Sequence, residues 1–316
     1  MSTPPALAHG TAAATEAAGV GDTGAMRPAA PASAAAGPPG GPRGASGPAG
    51  ALPESTAPAA ASDSRRARAD AVSVRVRETL DGVFAAVAAT REDTAALLAG
   101  PAGGGAPAPV VAALAALRPG LHERLGRHAL VSGIGFVAAP GLLADVPAWL
   151  EWWQRGPDSA VRPLLLDLDP EHSAYSDYTH WDWYALPRET GRRAVAGPYV
   201  DYLCSDEYGL TLSEPVHVAG RFVGVAAADV YLRHFEAAVL PVLQELPVPA
   251  RLVNARGRVA ASTDPAHLAG SLTKGPDFAA VLAAAADAGP AAVHRHGDLR
   301  LTPCAGTPLV LVTPER

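Results

Sequence analysis

Hydrophobic positions fall into distinct regimes along the chain. Between 65 and 98, Val76, Leu80, Val83, Phe84 and Val87 recur at helical spacing, with Arg75, Arg77 and Asp81 on the other faces. That period predicts one long amphipathic helix, or two in tandem, stopped by Gly100-Pro101 and the Gly103-Gly104-Gly105 run. A short helix over 110–117 follows, ended by Pro119-Gly120. From about 128 to 243 the pattern shortens into strand-like runs at 129–137, 149–154 and 164–168, the last bounded by Pro163 and Pro170. Residues 173–186 are polar and aromatic without strict alternation, and read as a loop with short helical turns. Strands at 199–203, 208–218 and 222–228 come next, the last two joined through Ala219-Gly220 as a hairpin, then a helix over 231–243.

Beyond Pro247 the scheme repeats on a smaller scale. Strands at 251–254 and 258–262 flank Ala255-Arg256-Gly257, a helix covers 278–286, and strands run near 293–296, 299–302 and 308–312. Hairpins dominate, so the expected class is α+β, with two antiparallel sheet modules of unequal size behind a long helix. The stretch 1–64 is mostly Ala, Gly, Pro, Ser and Thr, and the first aromatic residue of the chain is Phe84. Such a segment buries too little apolar surface to offset its conformational entropy and is expected to be a disordered tail. The domains expected are therefore 1–64, 65–246 and 247–316.

Composition narrows the function. Hydrophobic residues make up 48% and charged residues 18%, enough for a sizeable core. A net charge of −6 argues against a nucleic-acid binder. Cys204 and Cys304 fit neither a disulfide framework nor a zinc site, and no apolar run has the roughly 18 residues of a membrane span. The amino terminus lacks the basic-then-apolar pattern of a signal peptide. The expectation is a cytoplasmic protein without metal or cofactor, bound to neither nucleic acid nor membrane.

Several motifs dissolve on inspection. Gly133-x-Gly135-x-x-Ala138 superficially matches a dinucleotide fingerprint, but Pro140, Gly141 and Pro147 leave no room for the helix that would hold pyrophosphate. Glycine in a crowded strand explains it better. His294-x-His296 puts two imidazoles on one strand face near Asp298, without a third ligand at a supporting spacing. Ser213 lacks the frame of a nucleophile elbow. Asp167 and Asp169 beside Pro170 read as turn chemistry, with acid–base work the competing view, joined by His172 in an enzyme reading.

The aromatic cluster carries more. Tyr175, Tyr178 and Trp181-Asp182-Trp183-Tyr184 sit in the segment least like regular structure, so their rings cover either a sheet or a ligand. The run 222–228 is small or apolar throughout, as in a strand buried on both faces, and it ends in Asp229. A carboxylate there caps the next helix or faces a cation held among rings. Each ring face attracts a cation by about 0.5–2 kcal/mol, and a charge-assisted hydrogen bond adds about 1.5–3 kcal/mol.

Gly197-Pro198-Tyr199-Val200-Asp201, Leu212-Ser213-Glu214-Pro215-Val216 and Gly224-Val225-Ala226-Ala227-Ala228-Asp229, in this order, resemble recurring strand phrases of Cache domains. These are the PAS-like ligand-sensing modules of bacterial receptors, and the resemblance is to the double-Cache type, from about Arg65 to the end. It implies two PAS-like sheets and a pocket in the first. In the amino-acid-binding branch an aromatic pair, a Tyr and an Asp line that pocket, and the matching positions are Trp183, Tyr184, Tyr199 and Asp229. The branch also carries an arginine that clamps the ligand carboxylate, and Trp181 stands in its place. The resemblance thus implies a sensor, not an enzyme, for a small cationic amine, with Tyr175 and Asp201 as further contacts. An amino-acid or organic-acid sensor is the alternative. Family members usually reach a signalling output through a membrane helix. This chain is expected to act through a homodimer at its long helix or a separate signalling partner.

Overall fold

The computed structural model describes residues 57–100, 108–156, 158–169, 171–172, 175–201, 207–288 and 294–315. Most of the expected tail lies outside them. Helix α1 (Ala57–Ala99) is a single helix. Val72, Val76, Leu80, Val83 and Val87 form its buried stripe and meet the sheet carrying the site, along the strands defined below as β5 and β6. Thr90 and Thr94 are buried in the same stripe because their hydroxyls donate back to the Ala86 and Thr90 carbonyls, at 3.0 and 2.7 Å.

Helix α2 (Val111–Leu114) and a turn of 3-10 helix run straight into α3 (Arg118–Arg127). The expected stop at Pro119-Gly120 does not occur. Pro119 lies in the first turn of α3, where its missing N–H breaks no helical bond, and Leu121 and Leu125 pin the helix to the core.

The first sheet comprises β1 (Gly133–Ala138), β2 (Leu150–Arg155), β3 (Val161–Pro163), β4 (Ala194–Asp201), β5 (Glu207–Val218) and β6 (Arg221–Tyr231), in the order β3-β2-β1-β6-β5-β4. The second holds β7 (Arg251–Asn254), β8 (Val259–Ser262), β9 (His294–His296), β10 (Leu299–Pro303) and β11 (Leu309–Pro314), in the order β8-β7-β11-β10-β9. Every pairing is antiparallel. With β3 set aside, both sheets have the same strand order, and one helix precedes the third core strand of each: α4 (Asp182–Thr190) and α6 (Phe278–Ala288). The fold is α+β with two PAS-like modules behind a long helix.

Three expected elements move. The strand expected at 164–168 is displaced to β3, and the ladder ends as Leu164 N–H donates to the Trp152 carbonyl at 3.0 Å. The loop expected over 173–186 contains much of α4, whose inward residues Trp183, Tyr184 and Pro187 sit at helical spacing. Gly191 ends that helix in the left-handed region at φ 67°. Strand β4 starts at Ala194, and the rest of the run expected to reach 203 lies outside the described residues.

Strand β6 is buried on both faces, as its composition predicts. Ala226, Ala228 and Val230 join the core under α1, while Val225 and Ala227 join Val137, Trp152, Tyr178, Trp183 and Tyr184 on the opposite, aromatic face. The hairpin turn falls on Ala219 and Gly220, both at positive φ (49° and 78°). Helix α5 (Leu232–Leu243) then leads to the second sheet.

Candidate functional site

Side chains alternate along a strand, so Asp229 follows Val225 and Ala227 onto the aromatic face of the sheet. It does not cap α5, whose N-cap position is Tyr231. Thr211 lies directly opposite in the ladder, and its hydroxyl donates to Asp229 Oδ1 at 2.6 Å. Tyr199 Oη is 2.5 Å from the same Thr211 oxygen. Because the threonine proton is committed to the carboxylate, the tyrosine is the donor of that second bond. The sequence Tyr199, Thr211, Asp229 is therefore a directed chain of hydroxyls ending on an acid.

Asp229 borders a small hollow of about 40 Å³ with Trp152, Trp183, Tyr199, Thr211 and Asp201. Val137, Leu150, Leu164 and Leu166 complete the wall, which contains no basic residue among the described residues. Burial first, and the negative charge of Asp201 second, push the Asp229 carboxyl up to about 7, against the pull of the Thr211 hydrogen bond. Two carboxylates and three rings thus surround a space of a few water volumes. The buried indole N–H of Trp152 has no hydrogen-bond partner among the described residues.

A larger cleft of about 480 Å³ lies on the far side of two shared walls, Trp183 and Tyr199. Trp181, Leu186 and Pro198 border it from the first module, and Asn254, Arg256 and Pro308 from the second. Two polar contacts tie the modules together there: Asn254 Nδ2 donates to the Gly197 carbonyl at 2.8 Å, and Arg256 pairs with Asp182 at 2.7 Å.

The residues singled out from sequence separate into groups. Trp183 and Tyr199 line both spaces, Asp229 and Asp201 the hollow, and Trp181 the cleft, with its ring 6.2 Å from that of Tyr199. Tyr184 borders neither. It is 1% exposed and packs edge-on against Tyr178 and Phe222, while burial holds its hydroxyl pKa up at about 12. Tyr175 is 42% exposed and borders neither space. Asp167, Asp169 and His172 form an exposed turn, with His172 Nδ1 3.0 Å from Asp167, outside both spaces.

Thr211 and Trp152 were not singled out. Trp152 stands opposite Gly135 in the β1–β2 ladder, and a Cβ at Gly135 would come 2.3 Å from the Glu151 carbonyl oxygen. The crowded-strand reading of that glycine thus points at the neighbouring tryptophan.

Residues 166–237 match the family described as methyl-accepting chemotaxis protein-like, first PDC sensor domain. This interval holds every residue assigned above to the hollow except those on β1 and β2 and Leu164. No curated protein matches the chain. Among solved structures, a methyl-accepting chemotaxis protein X aligns with TM-score 0.53 at 18% identity, covering 81% of this chain and 98% of its own. The extracellular domain of a histidine kinase, mmHK1S-Z3, aligns with TM-score 0.53 at 17% identity over 83% of this chain and 95% of its own. The sensory domain of the Campylobacter jejuni chemoreceptor Tlp3 aligns with TM-score 0.51 at 16% identity, over 81% and 93%. The local sequence match and the paired sheets agree, and the chain carries the Cache-type fold of bacterial sensor domains.

Proposed function

We propose that the chain is a ligand-binding sensor whose first module takes a small primary amine. Its ammonium group occupies the hollow between Asp229, Asp201 and the faces of Trp152, Trp183 and Tyr199. The carrying observation is the hollow itself, which has two acids, three rings and no base among the described residues that line it. Its volume of about 40 Å³ suits a head group rather than a whole molecule, so the remainder passes Trp183 and Tyr199 toward the cleft. A bound cation also returns the Asp229 carboxyl to its charged state and offsets the cost of burying it.

The test is a thermal-shift panel of alkylamines, diamines and α-amino acids. A ligand at about a hundred times its Kd adds roughly 2.7 kcal/mol, a rise in Tm of several degrees for a chain of this size. Primary amines are expected to give that rise, and Asp229→Asn to remove it. An equal rise in Asp229→Asn, or none with any amine, overturns the proposal. Arg256 at the cleft supports a second reading, an ω-amino acid with its carboxylate beside that guanidinium. It predicts a stronger response to the ω-amino acid than to the amine of equal length, and loss of the excess in Arg256→Gln.

A further inference from the structure

Where β6 passes into α5, a separate hollow of about 260 Å³ opens beside the first sheet. Its lining brings together Arg155 from the end of β2, Glu207 from the start of β5, Tyr231 from β6, and Arg233 and His234 from the first turn of α5. Arg233 pairs with Glu207 and lies over the Tyr231 ring, 4.2 Å from its centre. Arg155 has no such acid among the described residues, and its guanidinium donates to the Leu125 carbonyl. His234 stands edge-on to Tyr231 with ring centres 5.5 Å apart, and its Nδ1 is buried without a hydrogen-bond partner among the described residues.

The electrostatics agree with this geometry. Burial first, then the charges of Arg233 and Arg155, hold the His234 imidazole below its ordinary pKa. Both guanidiniums therefore act on one ring, and among the described residues Glu207 pairs with Arg233. Among the described residues the half-buried Arg155 guanidinium meets no counter-charge and the neighbouring imidazole nitrogen no hydrogen-bond partner, two demands that a single acceptor satisfies. Planar oxyanions suit a guanidinium because two parallel N–H bonds can reach two oxygens.

We infer that this hollow binds a small oxyanion, a carboxylate or a phosphate, between Arg155, Arg233 and His234. The site is distinct from the amine pocket and stands or falls without it. The anion bonds to the Arg155 fork and to His234 Nδ1, and Arg233 supplies further positive potential across the space.

The test uses the full chain with labelled histidine. Sodium phosphate, sodium acetate and sodium succinate are titrated against sodium chloride at equal ionic strength, which removes general screening. The measurements are the His234 ring resonances and binding heat. At least one oxyanion is expected to bind saturably and raise the His234 titration point, since a bound anion favours the imidazolium facing Arg155, Arg233, Tyr231 and Glu207. Comparing the salts decides between a phosphate and a carboxylate source. Arg155→Gln is expected to weaken binding by about tenfold or more, roughly 1.4 kcal/mol. Arg155→Lys, which keeps the charge and a donor for the Leu125 carbonyl, restores part of it. Arg233→Gln weakens binding without disturbing that bond, and exposed Arg221→Gln at the other end of β6 leaves it unchanged. Two results overturn the inference: no oxyanion moves the His234 resonances beyond chloride, or affinity is the same in Arg155→Gln and Arg233→Gln as in the parent.

Discussion

Asp229→Asn tests the buried acid without any ligand. In the folded chain the carboxyl loses its proton only near pH 7, whereas the ordinary value is 3.8. Between those limits the unfolded chain has released this proton and the folded chain still holds it. Stability therefore falls as pH rises through this window, and the contribution is fully present below pH 3.8. At 1.36 kcal/mol per pH unit the swing is at most about 4 kcal/mol by pH 8. Asparagine has nearly the same shape, can accept the Thr211 hydrogen bond through its amide oxygen, and does not titrate. Urea unfolding of parent and variant at intervals from pH 4.5 to 8 isolates the term, because every other titrating group cancels in the difference. The variant is expected to gain on the parent as pH rises, by about 2–4 kcal/mol over the range. Parallel profiles would show that the carboxylate is solvated in the folded chain, and the argument for a cation would lose its electrostatic basis. An amine binding at this acid should also release close to one proton per ligand at pH 6, seen as buffer-dependent binding heat.

Two further outcomes follow from packing and charge. Gly135→Ala places a Cβ 2.3 Å from the Glu151 carbonyl oxygen and 2.8 Å from Trp152 Cα, both backbone atoms that cannot swing aside. It is expected to cost about 1–3 kcal/mol or more and to lower Tm by several degrees in circular dichroism melts; an unchanged Tm would refute the close approach. Arg91→Gln removes the guanidinium 3.3 Å from Glu214, a nearly buried acid whose pKa is already raised by desolvation. The loss, about 1 kcal/mol given the exposure of Arg91, is expected to be larger at pH 8 than at pH 4.5, because burial raises the pKa of the acid and protonation weakens the pair as pH falls; equal losses at both would refute it.

Much of the framework was legible because it rests on local rules. The α1 stripe repeats at the helical period over several turns, and Ala219-Gly220 sits between two apolar runs as a two-residue turn should. Two misreadings have local causes as well. Proline is a breaker only once a helix is under way, and Pro119 stands in a first turn, so α3 was hidden. Trp181–Tyr184 puts bulky rings at adjacent positions, which blurs the helical period that Trp183, Tyr184 and Pro187 follow in α4.

The site divides along the same line between local and long-range information. That Asp229 faces the aromatic side follows from parity with Val225 and Ala227, given only that the strand is buried on both faces. Its partner does not follow. The turn alone pairs Val218 with Arg221, and continuing that register would set Leu210 opposite Asp229. A bulge between Val216 and His217 shifts the ladder by one residue and delivers Thr211 instead. With Leu210 there, an apolar side chain would face the acid, and no hydroxyl chain to Tyr199 could form. With Thr211, one oxygen of the carboxylate is satisfied by protein while the group keeps a raised pKa, because a single neutral hydroxyl does not offset burial beside Asp201. A helix cap would have answered the acid with backbone N–H groups and removed that penalty. The uncompensated burial of this acid thus arises from one inserted residue, and it is the demand that the proposed cation would meet.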